Sequence, residues 1–326
     1  MALPSAASVV STGLAAYPAI YYDRVALETL RSNLFLYPAC DLKQMPDKSG
    51  VAMQIFDYTA LVANTVPATE GTPNNQGVAL NQNIRTLTLS NYIDYVSFSN
   101  KVVLTAISDT VAEGAAELAY RGALTVDTVI STMLDSVANG DASTRIDIND
   151  GSYMSASKSR QAAMSLRSVN VKPKANGSFY GILPSVMAFD LINDASSGGF
   201  IDLFKYTDAN KANLELSASN RIGIVGGVEW FESNALPTEA AWQSSAHAAY
   251  HAYVIGKNGV IASSLGKTQL AQKNFAVKVS KFDQPIAVDP ANQIAAAASY
   301  NFFFGCCQRT GATNGFRRIR SESSIG

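Results

Sequence analysis

The chain has 326 residues, with 25 Lys and Arg against 26 Asp and Glu. A net charge of −1 excludes a broad basic field for nucleic acid and an acidic tail, and the length is ample for a substantial core. Charged residues make up only 16% of the chain, against about 25% in ordinary soluble domains; Ala, Ser, Thr and Asn take their place, so a surface with little charge to keep copies apart is expected to be covered by other subunits.

Residues 1–21 read as an arm of small residues with Pro4 and Pro18 and no Lys or Arg, which makes a poor signal peptide. Leu27, Leu30 and Leu34 predict a helix over 23–35, stopped by Pro38. Residues 51–66 and 83–100 are β-branched and aromatic; the second run alternates through Ile84, Leu87, Leu89, Ile93 and Tyr95. A Pro-, Gly-, Asn- and Thr-rich stretch at 67–82 joins them into a long hairpin with a wide tip. Only Asp57, Glu70, Arg85 and Asp94 carry charge between 51 and 100. Exposed to water, such a hairpin is a sticky edge, so it is expected to lie on a neighbouring molecule.

A strong helix signal covers 108–138. Thr110 and Glu113 have capping-box spacing, and Val111, Leu118, Val126, Val129, Met133 and Val137 define one face. Asn139-Gly140 closes it, while Gly114 and Gly122 weaken it or admit a close neighbour. A polar loop over 141–160 precedes a short helix at 160–168. A strand at 179–183, a helix at 185–193, a strand at 221–232 and a helix or strand at 244–255 follow. The chain turns β again at 276–282, 297–304 and 316–321. The uncharged run 290–308 contains Asn292, Gln293, Asn301 and Gly305, so it reads as a strand pair within a sheet and not as a membrane span.

A compact globule of this length is roughly 50 Å across. A helix of about 30 residues is ~45 Å long, and hairpin arms of about 15 residues reach ~45–50 Å. Those elements predict a flat, extended molecule that buries enough surface only in an assembly.

Motifs for chemistry are sparse. Cys40, Cys306 and Cys307 form no disulfide framework and read as reduced thiols of a protein made in a cytoplasm. His247 and His251 have a spacing seen in metal pairs, without a third ligand nearby. Gly223, Gly226 and Gly227 match no phosphate-binding loop and mark a bulge or tight packing. Asp147 and Asp150 read as solvated acids. Arg309, Arg317, Arg318 and Arg320 suit either phosphates or carboxylates of another subunit, with the second favoured. No catalytic, cofactor or metal site is expected, and the chain is not expected to be an enzyme.

The order of arm, helix, hairpin, long helix, mixed domain and closing strands resembles the major capsid proteins of tailed bacteriophages with the Hong Kong 97-type fold. The likeness is nearest to the subfamily typified by the coliphage N-four capsid protein. It is carried by YYDRVALETL at 21–30, the tip Glu70-Gly71-Thr72-Pro73, the strand at 83–97, IGIVGGVEWFES at 222–233, YHAYVIGKNGV at 250–260 and VDPANQIAAAASYNFFFG at 288–305. Each motif is loose; their order over 20–321 is the specific part.

The resemblance implies an α+β fold. Residues 1–45 would be an arm with the first helix and 46–100 an extended loop. Residues 101–175 and 265–326 would form a peripheral domain with 108–138 as spine helix, and 176–264 an axial domain. It implies hexamers and pentamers of the chain closing into an icosahedral shell around double-stranded DNA, a virion component made in the host bacterial cytoplasm, with no membrane partner. Portal, scaffolding and cement proteins are the other implied partners. A separate scaffold is expected, because no long helical extension precedes the arm and the sequence starts at Met1. Glu70, Gly71, Thr72, Pro73, Arg85, Arg317 and Arg318 would contact other subunits, and Arg24 and Arg31 would face DNA. The family's lysine cross-link in the extended loop is not expected, since no Lys lies between Lys48 and Lys101. The alternatives are an encapsulin-like compartment of the same fold, a bacterial surface β protein, and an enzyme with a site of scattered acids and His251.

Overall fold

The computed structural model describes residues 8–9, 34–43, 45, 50–58, 61–67, 70–71, 77–105, 109–149, 151–174, 177–196, 199, 221–240, 248–264, 277–282, 289, 291, 293–308 and 314–325. The expected first helix lies outside them except for Leu34 and Phe35, which are not helical; a single 3-10 turn follows at Tyr37–Ala39.

Two sheets organise the body. The first contains β1 (Ser8–Val9), β5 (Ser90–Ser99), β14 (Ile294–Gln308), β12 (Val260–Ser264) and β2 (Asp41–Leu42) in that order, with β13 (Lys278–Lys281) also on β14. The expected strand pair at 290–308 is therefore one 15-residue strand. It stays unbroken because β5 lines one edge from Ser90 to Ser99 while β13 and β12 share the other.

Across this sheet lies the long helix α2 (Thr110–Gly140), preceded by the short α1 (Asn100–Thr105). Its first turn is capped one residue earlier than expected: the Asp109 side chain accepts from the Ala112 amide at 3.2 Å. The buried stripe is Val111, Ala115, Leu118, Ala119, Ala123, Val126, Ile130, Leu134 and Ala138. Val129, Met133 and Val137 flank that stripe instead of forming it, because small Ala side chains let the helix approach the sheet along their own side. Gly114 permits the closest approach; a Cβ there would stand 2.4 Å from the Phe98 ring. From β14, Ala296, Ala298, Tyr300, Phe302 and Phe304 alternate into the same core. Each fully buried large apolar side chain in it stabilises the fold by about 1.5–3 kcal/mol.

The second sheet runs β6 (Arg145–Asp147), β15 (Phe316–Ser321), β11 (Ala249–Ile255), β7 (Phe179–Leu183), β9 (Val228–Glu232) and β8 (Arg221–Val225), with β10 (Thr238–Glu239) also on β11. Helices α3 (Ala156–Ser168) and α4 (Ser185–Ile192) pack on it through Ala162, Ala163, Leu166, Met187 and Leu191. The ambiguous segment at 244–255 is its inner strand β11, buried on both faces and so lacking alternation. The expected strand at 221–232 is a hairpin: Gly226 and Gly227, at φ +63° and +87°, make the two-residue turn that joins β8 to β9.

Strand pairing cuts across the expected domain boundaries. β15 and β6, assigned by resemblance to the peripheral domain, belong to the second sheet, and β12, assigned to the axial domain, belongs to the first. The long hairpin is also shorter than expected. β3 (Ala52–Tyr58) and β4 (Gln82–Thr88) pair over seven residues each, ~23 Å, as a separate two-stranded sheet, and β5 beyond Leu89 joins the body.

Candidate assembly surface

Alternation along the hairpin separates two faces. Ile55 and Leu87 turn inward and pack with Leu89, Met45 and Ile261. Phe56 and Ile84, paired across the strands, turn outward and are at least half exposed. The chain running to and from the tip continues this exposure with Leu61, Val62, Val66, Val78 and Leu80; Val62 is 90% exposed. Among the described residues, nine of the nineteen exposed large apolar side chains fall between Val51 and Ile84, so their apolar surface is concentrated on this one element. Among the described residues the two strands pair only with each other, which leaves backbone donors and acceptors along both outer edges.

The sequence-predicted contact residues separate sharply. Glu70 and Gly71 occupy an exposed turn at the tip, with Gly71 at φ +79°. Thr72 and Pro73 lie outside the described residues, as do the DNA-facing candidates Arg24 and Arg31. Arg85 corrects an expectation: it stands opposite Ile55 on the docked face and is buried, so it does not present itself to another subunit. Its position has the parity of Leu87, whereas Ile84 has the opposite parity and faces water. Burial raises the Cys307 thiol beneath the hairpin, partly countered by the Arg85 charge.

Arg317 and Arg318 are likewise corrections. β15 is an inner strand with β6 and β11 paired along its two edges, while α3 packs on one face and α2 on the other, so neither face meets solvent. Arg317 turns to α3, donating through Nε to Ser165 Oγ at 2.9 Å and through Nη1 to the Asn314 and Phe316 carbonyls. Arg318, fully buried, turns to α2, where Nη1 donates to Asp135 at 3.2 Å and to Asn139 at 2.9 Å. The carboxylates meeting these arginines come from their own chain. His251 joins the same network, its Nδ1 at 2.9 Å from Asp135 Oδ2. Burial acts to raise the Asp135 carboxyl, but the interactions with His251 and Arg318 prevail and hold it below the usual range. His251 is thus a structural tie between the spine helix and the second sheet; His247 lies outside the described residues.

The chemistry open to the other groups is limited. Burial pushes Cys40 well above the usual thiol range and Cys306 up to about 12, opposite to what a nucleophile requires. Asp147 pairs with Arg320 and Arg145, and Asp150 is outside the described residues. Among the described residues no cluster of three or more His, Cys, Asp and Glu has metal-ligand geometry, and no helix is long and apolar enough to cross a membrane.

No protein-family model matches the chain, and no curated protein matches it in sequence. Solved structures do. The cyanophage Pam1 capsid asymmetric unit aligns with 100% of this chain and 99% of its own at a TM-score of 0.67 and 12% identity. The capsid of Ralstonia phage GP4 aligns with 88% of this chain and 87% of its own, at 0.66 and 11%. The capsid of cyanophage P-SCSP1u covers 99% and 93%, at 0.58 and 13%. The chain has the Hong Kong 97-type capsid fold. At these identities only about one residue in eight is shared, so what is common is the course of the backbone.

Proposed function

We propose that this chain is the major capsid protein of a tailed phage, assembling through hexamers and pentamers into an icosahedral shell around double-stranded DNA. The observation that carries the proposal is the hairpin. A capsid-type fold extends an element with one face docked and the other apolar and uncovered, as a subunit must if its neighbours supply the cover. A shell needs surfaces that fit copies of themselves and no catalytic group, which accords with a non-enzymatic role. The hairpin lies across an adjacent subunit, adding its free edge to that subunit's sheet.

In this reading α2 and the first sheet form the peripheral domain, and the second sheet with α3 and α4 forms the axial domain. Glu70, Gly71, Thr72 and Pro73 touch the neighbouring copy, and Arg24 and Arg31 face the packaged DNA. A place near the coliphage N-four capsid subfamily, synthesis in the host cytoplasm, and portal, scaffolding and cement partners belong to the same proposal. Purified protein examined by negative-stain microscopy and sedimentation tests it. Shells or capsomers that retain nucleic acid are expected. A stable monomer at micromolar concentration refutes the assembly, and particles holding a protein cargo in place of nucleic acid refute the genome container.

A further inference from the structure

A cleft of about 520 Å³ lies between the 3-10 turn with the segment after it and the starts of the inner strands β7 and β9, away from the hairpin. Pro38, Pro173 and the Tyr180 ring form walls, and the polar lining is Asp41, Lys174, Ser178, Glu229 and Lys257. Tyr180 is fixed, stacked on Phe231 at 4.6 Å and donating to the Phe35 carbonyl at 3.1 Å. The two loops that bring the lysines are tied together by the Lys257 amide, which donates to the Lys172 carbonyl at 2.9 Å.

Donor and acceptor accounting shows what the cleft is ready to take. Both carboxylates are already engaged by their own chain: Glu229 by Arg221 Nε at 2.8 Å, and Asp41 by the Asn258 amide at 2.5 Å with Lys174 at 4.0 Å. The donors are in excess. Lys174 Nζ has three N–H groups and gives one to the Ala39 carbonyl. Lys257 is exposed at the rim. Ser178 is 5% exposed, and its Oγ has no hydrogen-bond partner among the described residues. A buried hydroxyl left unpaired in a cleft that two lysines also line costs free energy that an acceptor ligand returns.

We propose that this cleft binds a phosphate-type oxyanion, with Lys174 Nζ, Lys257 Nζ and Ser178 Oγ donating to its three terminal oxygens. Three donors lining one cleft, Lys174 and Ser178 from the loop before β7 and Lys257 from the loop after β11, suit the three oxygens of a phosphate better than the two of a carboxylate. The cleft is several times the size of the ion, which leaves room for an organic group against Pro38, Pro173 and Tyr180. Burial lowers the Lys174 ammonium, and an anion beside it reverses that effect. The site is independent of the shell reading, since none of its residues belongs to the hairpin.

The test is calorimetric titration of the purified full chain, in whatever assembly state it adopts, with inorganic phosphate, phenyl phosphate and benzoate at constant ionic strength. Saturable binding of the phosphates is expected, at least about tenfold tighter than benzoate. Lys257→Ala, at an exposed position that leaves the core untouched, should weaken phosphate by about tenfold with unchanged melting temperature, and Ser178→Ala by about fivefold with a melting temperature no lower than wild type. Tighter binding of phenyl phosphate than of inorganic phosphate assigns the site to organic phosphates, and equal binding assigns it to the free ion. Failure to saturate, benzoate binding as tightly as phosphate, or indifference to both substitutions overturns the proposal.

Discussion

Asp127 of α2 offers a sharp test of how the N-terminal segment is fastened to the spine. Its carboxylate is 1% exposed and accepts from the amides of Phe35 at 2.8 Å, Leu36 at 3.2 Å and Tyr37 at 3.3 Å. Burial raises the carboxyl to about 6 despite those three hydrogen bonds. Holding the charge at pH 7.5 therefore costs about 3 kcal/mol relative to a released, solvated Asp127. The sign follows from proton counting. The docked state holds a proton up to about pH 6 and the released state only up to about pH 3.8, so docking strengthens as pH falls through that window. Between pH 7.5 and pH 5 the gain is about 1.4 kcal/mol, a tenfold rise in amide protection. Hydrogen exchange at residues 34–39, corrected for the intrinsic pH dependence, reads this directly. Asp127→Asn keeps an acceptor and sheds the charge, so it should abolish the pH dependence while leaving protection at pH 7.5 within about tenfold of wild type. Asp127→Ala strands three amides and should lower protection by about 2–4 kcal/mol. Weaker protection at pH 5 than at pH 7.5 in the wild type, or an alanine variant with undiminished protection, refutes the reasoning.

Other outcomes follow from the same structure. Deleting residues 68–77, or replacing both Phe56 and Ile84 with Ser, should leave folded subunits whose assembly, followed by sedimentation, falls at least about tenfold, because the substitutions strip the uncovered face and spare the docked one. Normal assembly would show that the hairpin is not the clamp. Particles boiled in detergent should run as a single band at 34.6 kDa, since no Lys lies between Lys48 and Lys101; ladders would contradict this. Arg318→Ala leaves Asp135 buried without its arginine, and urea unfolding should report a loss of about 3–5 kcal/mol; a subunit interface role would instead leave subunit stability intact and impair assembly. Neutralising Arg24 and Arg31 together should reduce the salt needed to release packaged DNA, measured as DNA retention across a salt series.

Most helices and strands were legible in the chain because their causes are local. The 3.6-residue spacing from Val111 to Ala138 and the β-branched and aromatic runs at 179–183 and 316–321 act over a few residues, whereas the turn at Gly226-Gly227 reads in the sequence as a bulge or tight packing within one strand. Low charge with a nearly uncharged hairpin already pointed to an assembly, since that is a property of composition. The sides taken by individual residues were not legible. In a strand a one-residue difference reverses the face, and in the sequence Ile84 groups with Leu87 and Leu89 while Arg85 is expected against a neighbouring subunit. Only docking against Leu89, Met45 and Ile261 decided for Arg85 and left Ile84 in water. Arg317 and Arg318 looked like surface charge until α3 and α2 packed on the two faces of β15 and brought Ser165, Asp135 and Asn139 to meet them. Pairing partners hundreds of residues apart, and the burial they impose, are settled by the packing of the whole chain, because no local propensity encodes which strand will arrive alongside.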